Sequence, residues 1–249
     1  MPTYPDLPTI TLTPPPAPHL AFALEPASPL SSTDQQRVDS AWADLRRDNP
    51  DLHDGEILLV DLPALTAGRL AVRPGPFRLL AAANRAGLKV RALGVQAVLI
   101  GTDVHGVEHL LLGRRSPHTR LYHAQWENAP SGSVEPPKRP GTPIDAAHCV
   151  DALVNEGVEE LGFDLRAAPE RWLGVLEDAE ASSLDVVLEL RLPGATNPRG
   201  LPCPRHDAGR WEYMDTAWIA LPDLPAWTKA HARAVSPPTL ALLRWLNWS

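Results

Sequence analysis

Thr142-Pro-Ile-Asp-Ala-Ala-His-Cys-Val-Asp-Ala-Leu-Val-Asn-Glu-Gly-Val-Glu-Glu-Leu-Gly162 reads as one amphipathic helix. Thr142 stands in the capping position, Pro143 suits the first helical residue, and Asp145 falls where an acid reaches back to close a capping box. Val150, Leu153, Val154, Val158 and Leu161 recur at i, i+3, i+4, i+7 spacing and form one apolar stripe for a core. Gly162 supplies the left-handed residue that ends the helix. Glu156, Glu159 and Glu160 lie together beside the stripe, across an arc of about 100°.

Carboxylates this close repel one another unless a cation sits among them, and the helix dipole disfavours negative charge near a C-terminal end. Two readings stay open on geometry. One is a solvated acidic face, which a wet surface tolerates with little penalty. The other is a site for a hard divalent cation, because dense carboxylate oxygen suits Mg²⁺ or Mn²⁺.

Around this helix the chain alternates strand and helix. Leu93-Gly-Val-Gln-Ala-Val-Leu-Ile100 and Glu108-His-Leu-Leu-Leu112 are strands joined by the hairpin-type connection Gly101-Thr-Asp-Val-His-Gly106. Residues 130–143 are a Pro-rich loop, Asp185 to Leu192 and Trp218-Ile-Ala-Leu221 are further strands, and a last helix opens at Pro237 or Pro238. That helix uses Leu240, Leu243, Trp245 and Leu246. The order gives an α/β fold with a mixed sheet between helices.

The N-terminal part has a different character. Pro14, Pro15, Pro16 and Pro18 make residues 1–18 a tail. Ser31-Ser-Thr-Asp34 opens a helix that runs to Arg47, with Val38, Ala41, Trp42 and Leu45 at helical spacing. Glu56-Ile-Leu-Leu-Val-Asp61 is a short strand, while Phe77 to Ala86 fits either a helix or an extended pair. Residues 19–91 therefore read as an α+β subdomain without a motif for chemistry, followed by the main domain at 92–249.

Composition narrows the function classes. With 249 residues and 44% apolar content, a buried core is available, and the 28 prolines punctuate it with long loops. The net charge of −7 gives no reason to expect a nucleic-acid polymer as partner, although a local phosphate site needs only a few groups. No apolar run is long enough to span a membrane, and the N-terminus is not built like a signal peptide. Cys149 and Cys203 share no metal-type spacing, so a reducing, cytoplasmic setting is expected. His118, His123, His148 and His206 likewise show no zinc-like spacing.

Asn155-Glu-Gly-Val-Glu-Glu-Leu-Gly-Phe163 resembles the second half of the Nudix box, R-E-U-x-E-E-x-G-U, where U is bulky and apolar. Trp126-Glu-Asn-Ala-Pro-Ser-Gly-Ser-Val-Glu-Pro136 is similar to the family's W-x-x-P-G-G-x-x-E-P, and Leu111-Leu-Gly-Arg-Arg-Ser116 to its preceding strand. Glu212 and Trp218-Ile219 fall where the family has a late Glu and its last strand. The pieces span residues 92–246 in the family's order. Departures accompany them. Ala147 occupies the position of the first box Glu, Asn155 that of the Arg, and Gly157 that of an apolar residue, with the run Pro136 to Pro143 as an insertion.

The resemblance implies a Nudix-type α/β/α sandwich with an N-terminal extension, and metal-dependent hydrolysis of a diphosphate linkage in a nucleoside diphosphate derivative. By resemblance, Glu156, Glu159 and Glu160 hold Mg²⁺ or Mn²⁺, with Glu159 and Glu160 counted among the catalytic groups beside Glu212 as general base. Arg114 and Arg115 meet phosphate, only one of them from the site face, and Trp126 and Glu135 complete the substrate-binding set. The partner implied is a small nucleotide such as a UDP-sugar or ADP-ribose, and a homodimer stays open. The alternative is a Nudix-fold nucleotide binder that has lost catalysis, for which Ala147 and Asn155 argue. A prenyl-diphosphate isomerase of the same fold fits less well, because Ser131 stands where its Cys belongs.

Overall fold

The computed structural model describes residues 11–13, 21–26, 29–50, 52–66, 69–139, 142–162, 164–168, 170–192 and 212–249. In chain order the elements are β1 (Thr11–Thr13), β2 (Ala21–Leu24), α1 (Ser32–Asp48), β3 (Glu56–Thr66), β4 (Arg69–Pro76) and α2 (Phe77–Ala86). Then come β5 (Arg91–Thr102), β6 (Glu108–Arg115), β7 (Trp126–Asn128), β8 (Ser131–Ser133), α3 (Ala146–Glu156) and a π-helical turn, Gly157–Leu161. The chain continues with β9 (Glu170–Asp178), β10 (Ser183–Arg191), β11 (Tyr213–Ala220), a 3-10 turn (Leu221–Asp223), α4 (Leu224–His231) and α5 (Pro237–Trp245).

β5 is the axis of the sheet. Its apolar run pairs in parallel with β10 from Ala92 to Ile100. The opposite edge takes three antiparallel partners in turn: β3 at Arg91 and Ala92, β8 from Gly94 to Gln96, and β6 from Ile100 to Thr102. The main path runs β1-β9-β10-β5-β3-β4-β2, and β6 also carries β7 and β11. The N-terminal strands thus belong to the same sheet as the rest. The expected boundary near residue 91 falls within β5, where Val60 pairs with Arg91 and Leu59 with Ala92.

Strand alternation sorts the core into layers. Leu93, Val95, Ala97 and Leu99 cluster with Cys149, Leu153 and Val154 of α3 and with Leu161. The opposite face of β5 is covered in two patches. Ala92 lies with Ile57 and Leu59 beneath α1 and α2, whereas Val98 and Ile100 lie with Leu110 and Leu112 beneath Leu224, Leu242 and Leu243. Gly94 and Gln96 fall between the patches, and a cavity opens over them.

Several elements follow from local chemistry. Ser31 Oγ accepts the Asp34 N–H at 3.1 Å to cap α1, and Gly87, at φ 71°, ends α2, which settles residues 77–86 as a helix. Pro74 and Pro76 sit in β4 beyond the end of β2, so that edge needs no N–H from them. Thr11–Thr13 lie within the expected tail, yet they pair with Val175, Leu176 and Glu177 of β9. Pro14, Pro15, Pro16, Pro18, Pro140, Gly141, Phe163, Cys203 and His206 lie outside the described residues. No helix among the described residues is long and apolar enough to cross a membrane.

The helix at 142–161 departs from its expected form at both ends. Asp145, not Thr142, is its N-cap, accepting the His148 N–H at 3.0 Å. Its last turn is π-helical, which shifts the later residues off 3.6-residue spacing. Val158 leaves the apolar stripe and is 42% exposed, while Gly157 and Leu161 turn inward. Leu161→Ala should therefore destabilise the protein by about 2–5 kcal/mol. Val158→Ala should stay within about 0.5 kcal/mol, as surface changes do. Urea denaturation of the two variants measures the difference; equal losses would mean that the stripe runs on as a regular α-helix.

Candidate active site

The cavity over Gly94 and Gln96 has a volume of about 310 Å³. Its lining combines Phe77 and Leu80 from α2, the serines of β8, Asp185 from β10, and the segment Thr119 to Tyr122. Glu156, Glu160 and Glu212 line it as well.

These carboxylates come from two places in the chain. Glu156 ends α3, Glu160 sits in the π-helical turn, and Glu212 precedes β11, where its carbonyl accepts the Ser116 N–H at 2.7 Å. One oxygen from each lies within 4.8 Å of the others. Two features of β8 admit them. The Ser131 N–H donates to Glu160 Oε2 at 3.1 Å, and a Cβ on Gly132 would overlap the Glu156 carboxyl and displace it from this position. Burial pushes Glu156 up to about 8, helped by the charges of Glu212, Glu159 and Glu135. Burial also raises Glu160 well above the carboxylate range, reinforced by its hydrogen bond with Glu212. Crowding and burial thus work against the charged forms of Glu156 and Glu160, and a bound cation would relieve both.

The remaining sequence candidates divide between the cavity and other places. Glu159 is exposed and outside the cluster, acting on Glu156 only through its charge. The π-turn is the reason, since it aims Glu160 inward and its neighbour outward. Arg115 lines the cavity, whereas Arg114 is not among its lining residues and donates to the Ala124 carbonyl at 3.1 Å. Trp126 does not reach the cavity; its ring meets Trp227 edge-on, with centroids 5.7 Å apart. Alternation along β7 explains this, because Glu127 takes the inward place beside it. Glu135 is exposed, and its carbonyl is 2.8 Å from Nε2 of His148.

The residues that sequence reasoning passed over are mostly buried acids. Glu127 forms an ion pair with Arg115 and accepts from Tyr213 Oη at 3.0 Å. Burial works against the Arg115 charge, but Glu127 more than offsets it and raises the guanidinium further. Tyr213 in turn covers Gly113, where any side chain would strike the ring. Asp178 accepts from Tyr122 Oη at 2.6 Å and from the N–H groups of Glu180 and Ala181. Arg120 lines the cavity and donates to the Ala181 carbonyl at 2.8 Å. The available signal was an acid at the inward position of a strand, as with Asp185 among the apolar residues of β10.

No family model and no curated protein sequence matches the chain. Solved structures do resemble it. A NUDIX hydrolase from Alicyclobacillus acidocaldarius is 15% identical, with a TM-score of 0.45 over 62% of this chain and 90% of the other. The NUDIX domain of Shewanella oneidensis NrtR, complexed with ADP ribose, is 15% identical, with a TM-score of 0.42 over 69% and 96%. A NUDIX hydrolase from Nitrosomonas europaea is 18% identical, with a TM-score of 0.41 over 62% and 86%.

Asp185 gives the site a measurable pH signature. Burial raises its carboxyl from the ordinary 3.8 to about 7, against a hydrogen bond from Ser183 and with help from Asp178 and Glu127. Below pH 3.8 it is protonated in both folded and unfolded chains and contributes no difference. As pH rises towards 7 the unfolded chain ionises first, so this group removes stability over that window. Asp185→Asn should raise Tm by several degrees at pH 8, about 2–4 °C for each kcal/mol recovered, and by nothing near pH 4. A thermal melt series across pH checks this; a gain that is the same at both ends would exclude the titration.

Proposed function

We propose that this chain is a Nudix-type hydrolase that cleaves a diphosphate linkage in a nucleoside diphosphate derivative with a divalent cation. The convergence of Glu156, Glu160 and Glu212 carries the reading. Their oxygen donors suit Mg²⁺ or Mn²⁺, and the raised protonation of Glu156 and Glu160 marks a deficit of positive charge that a cation would fill. Arg115, whose charge reaches Glu160, is already paired with Glu127 and cannot supply it.

Glu156, Glu160 and Glu212 would hold the cation, which when bound supplies charge neutralisation and Lewis acidity towards water. The chain's own groups do the rest. The Ser131 N–H holds Glu160 in place, and Arg120, tied to the Ala181 carbonyl, offers its remaining donors to a phosphate in the cavity. Water oxygen attacks phosphorus, the bridging P–O bond breaks, the electron pair leaves with the departing phosphate, and Glu212 accepts the proton from the water. Phe77 and Leu80 keep bulk water from that side of the cavity.

Glu160→Gln should lower turnover by at least about 100-fold on UDP-glucose or ADP-ribose, whichever the parent cleaves. Its stability without metal should hold or rise, since glutamine is neutral without taking up a proton on folding, and its Mg²⁺-dependent gain in Tm should shrink. Glu159→Gln should keep most of both. Colorimetric phosphate release and melts with and without Mg²⁺ measure these. Wild-type turnover and metal response in Glu160→Gln would overturn the site, and an inactive parent that still binds nucleotide would favour the binder that has lost catalysis.

A further inference from the structure

Part of the cavity is unused by the diphosphate chemistry. Along β5 its floor is Ala92, Gly94 and Gln96, spanning about 13 Å at roughly 3.3 Å per residue. Register fixes the neighbour at each step. Gln96 lies opposite Ser131, whose N–H holds Glu160, so this is the carboxylate end. Gly94 lies between Asp185 and Ser133. Ala92 clusters with Leu79 and Leu80 of α2, and with Phe77 on the same helix the far end is apolar.

Two acceptors along this floor have capacity for a ligand. Gln96 is 4% exposed, and its Oε1 has no hydrogen-bond partner among the described residues. Buried amide oxygens are rarely left so. Asp185 accepts from Ser183 Oγ at 3.3 Å, and its other oxygen lies over Gly94, in the space a Cβ would take. A ligand that satisfies both brings hydrogen-bond donors and no negative charge to the middle of the cavity. Hydroxyl groups meet that demand, and a phosphate does not. The apolar wall beyond suits a flat ring.

We propose that Asp185 and Gln96 bind the vicinal ribose hydroxyls of the nucleotide, with its base against Phe77 and Leu80. The orientation rests on the hydrolase reading, which places the diphosphate at the carboxylate end. The subsite makes the nucleoside half of the substrate the half that is recognised, and leaves the other substituent outside.

Calorimetric titration tests this on the full-length chain in Mg²⁺, with ADP, GDP, CDP and UDP and their 2′,3′-dideoxy counterparts. At least one ribonucleotide should bind roughly 10- to 100-fold tighter than its dideoxy form, the range for losing a hydrogen bond to a buried or charged acceptor. Asp185→Ala should abolish that ratio, and Phe77→Ala should weaken both forms while keeping it. Equal binding of both forms to the parent overturns the subsite, as does no binding of any diphosphate or a ratio that survives Asp185→Ala. The two readings separate cleanly. A ribose ratio without turnover on the substrate panel removes the reaction and keeps the subsite; turnover without a ratio does the reverse.

Discussion

One edge of β5 is shared among three short partners, and most of the architecture follows from that sharing. A single long neighbour would have closed the sheet into an unbroken surface. Instead β3, β8 and β6 each take a few residues, and the sheet spreads on either side of β8. The helices above it separate likewise, with α1 and α2 over one patch and α4 and α5 over the other. The gap between them is the cavity, and the Glu156 and Glu160 carboxylates enter it around β8. Gly132 and Gly94 keep the passage open by lacking side chains.

The second constraint is electrostatic. Glu127, Glu156, Glu160, Asp178, Asp185 and Glu212 all line one cavity, against Arg115 and Arg120. A fold selected for stability alone would not collect so much like charge away from water. The acids with an arginine or tyrosine partner are structural: Glu127 with Arg115 and Tyr213, Asp178 with Tyr122 and a turn. The acids left crowded or weakly bonded, Glu156, Glu160, Glu212 and Asp185, are the ones proposed to meet a cation or ligand. Partnering separates scaffold from function within a single pocket.

The sequence made the fold class legible because its strong signals were periodic or were caps, as in α1, β5, β6 and the Gly162 stop. It hid what depends on geometry beyond one period. Nothing local announces the π-turn at Gly157, and with it the separation of Glu160 from Glu159. β9 carries Trp172-Leu-Gly-Val-Leu176, an apolar run too short to name as strand or helix. The resemblance implies substrate binding for Trp126, yet its ring packs on Trp227 and the neighbouring Glu127 takes the place in the cavity lining. Asp185 shows no motif at all, and only its pairing with Gly94 reveals what it faces.

Phe77 opens α2, and its place is set by two hydrogen bonds at 2.8 Å, from its own N–H to the Gly55 carbonyl and from the Arg78 N–H to Asp54 Oδ1. Neither anchor touches a carboxylate of the cluster. The apolar wall proposed to meet the base and the carboxylates proposed to hold a cation are therefore positioned by separate stretches of chain. On the proposed reading evolution can retune one without disturbing the other: a drift at residues 54–55 or along α2 would reshape the wall while the carboxylate cluster stays in place.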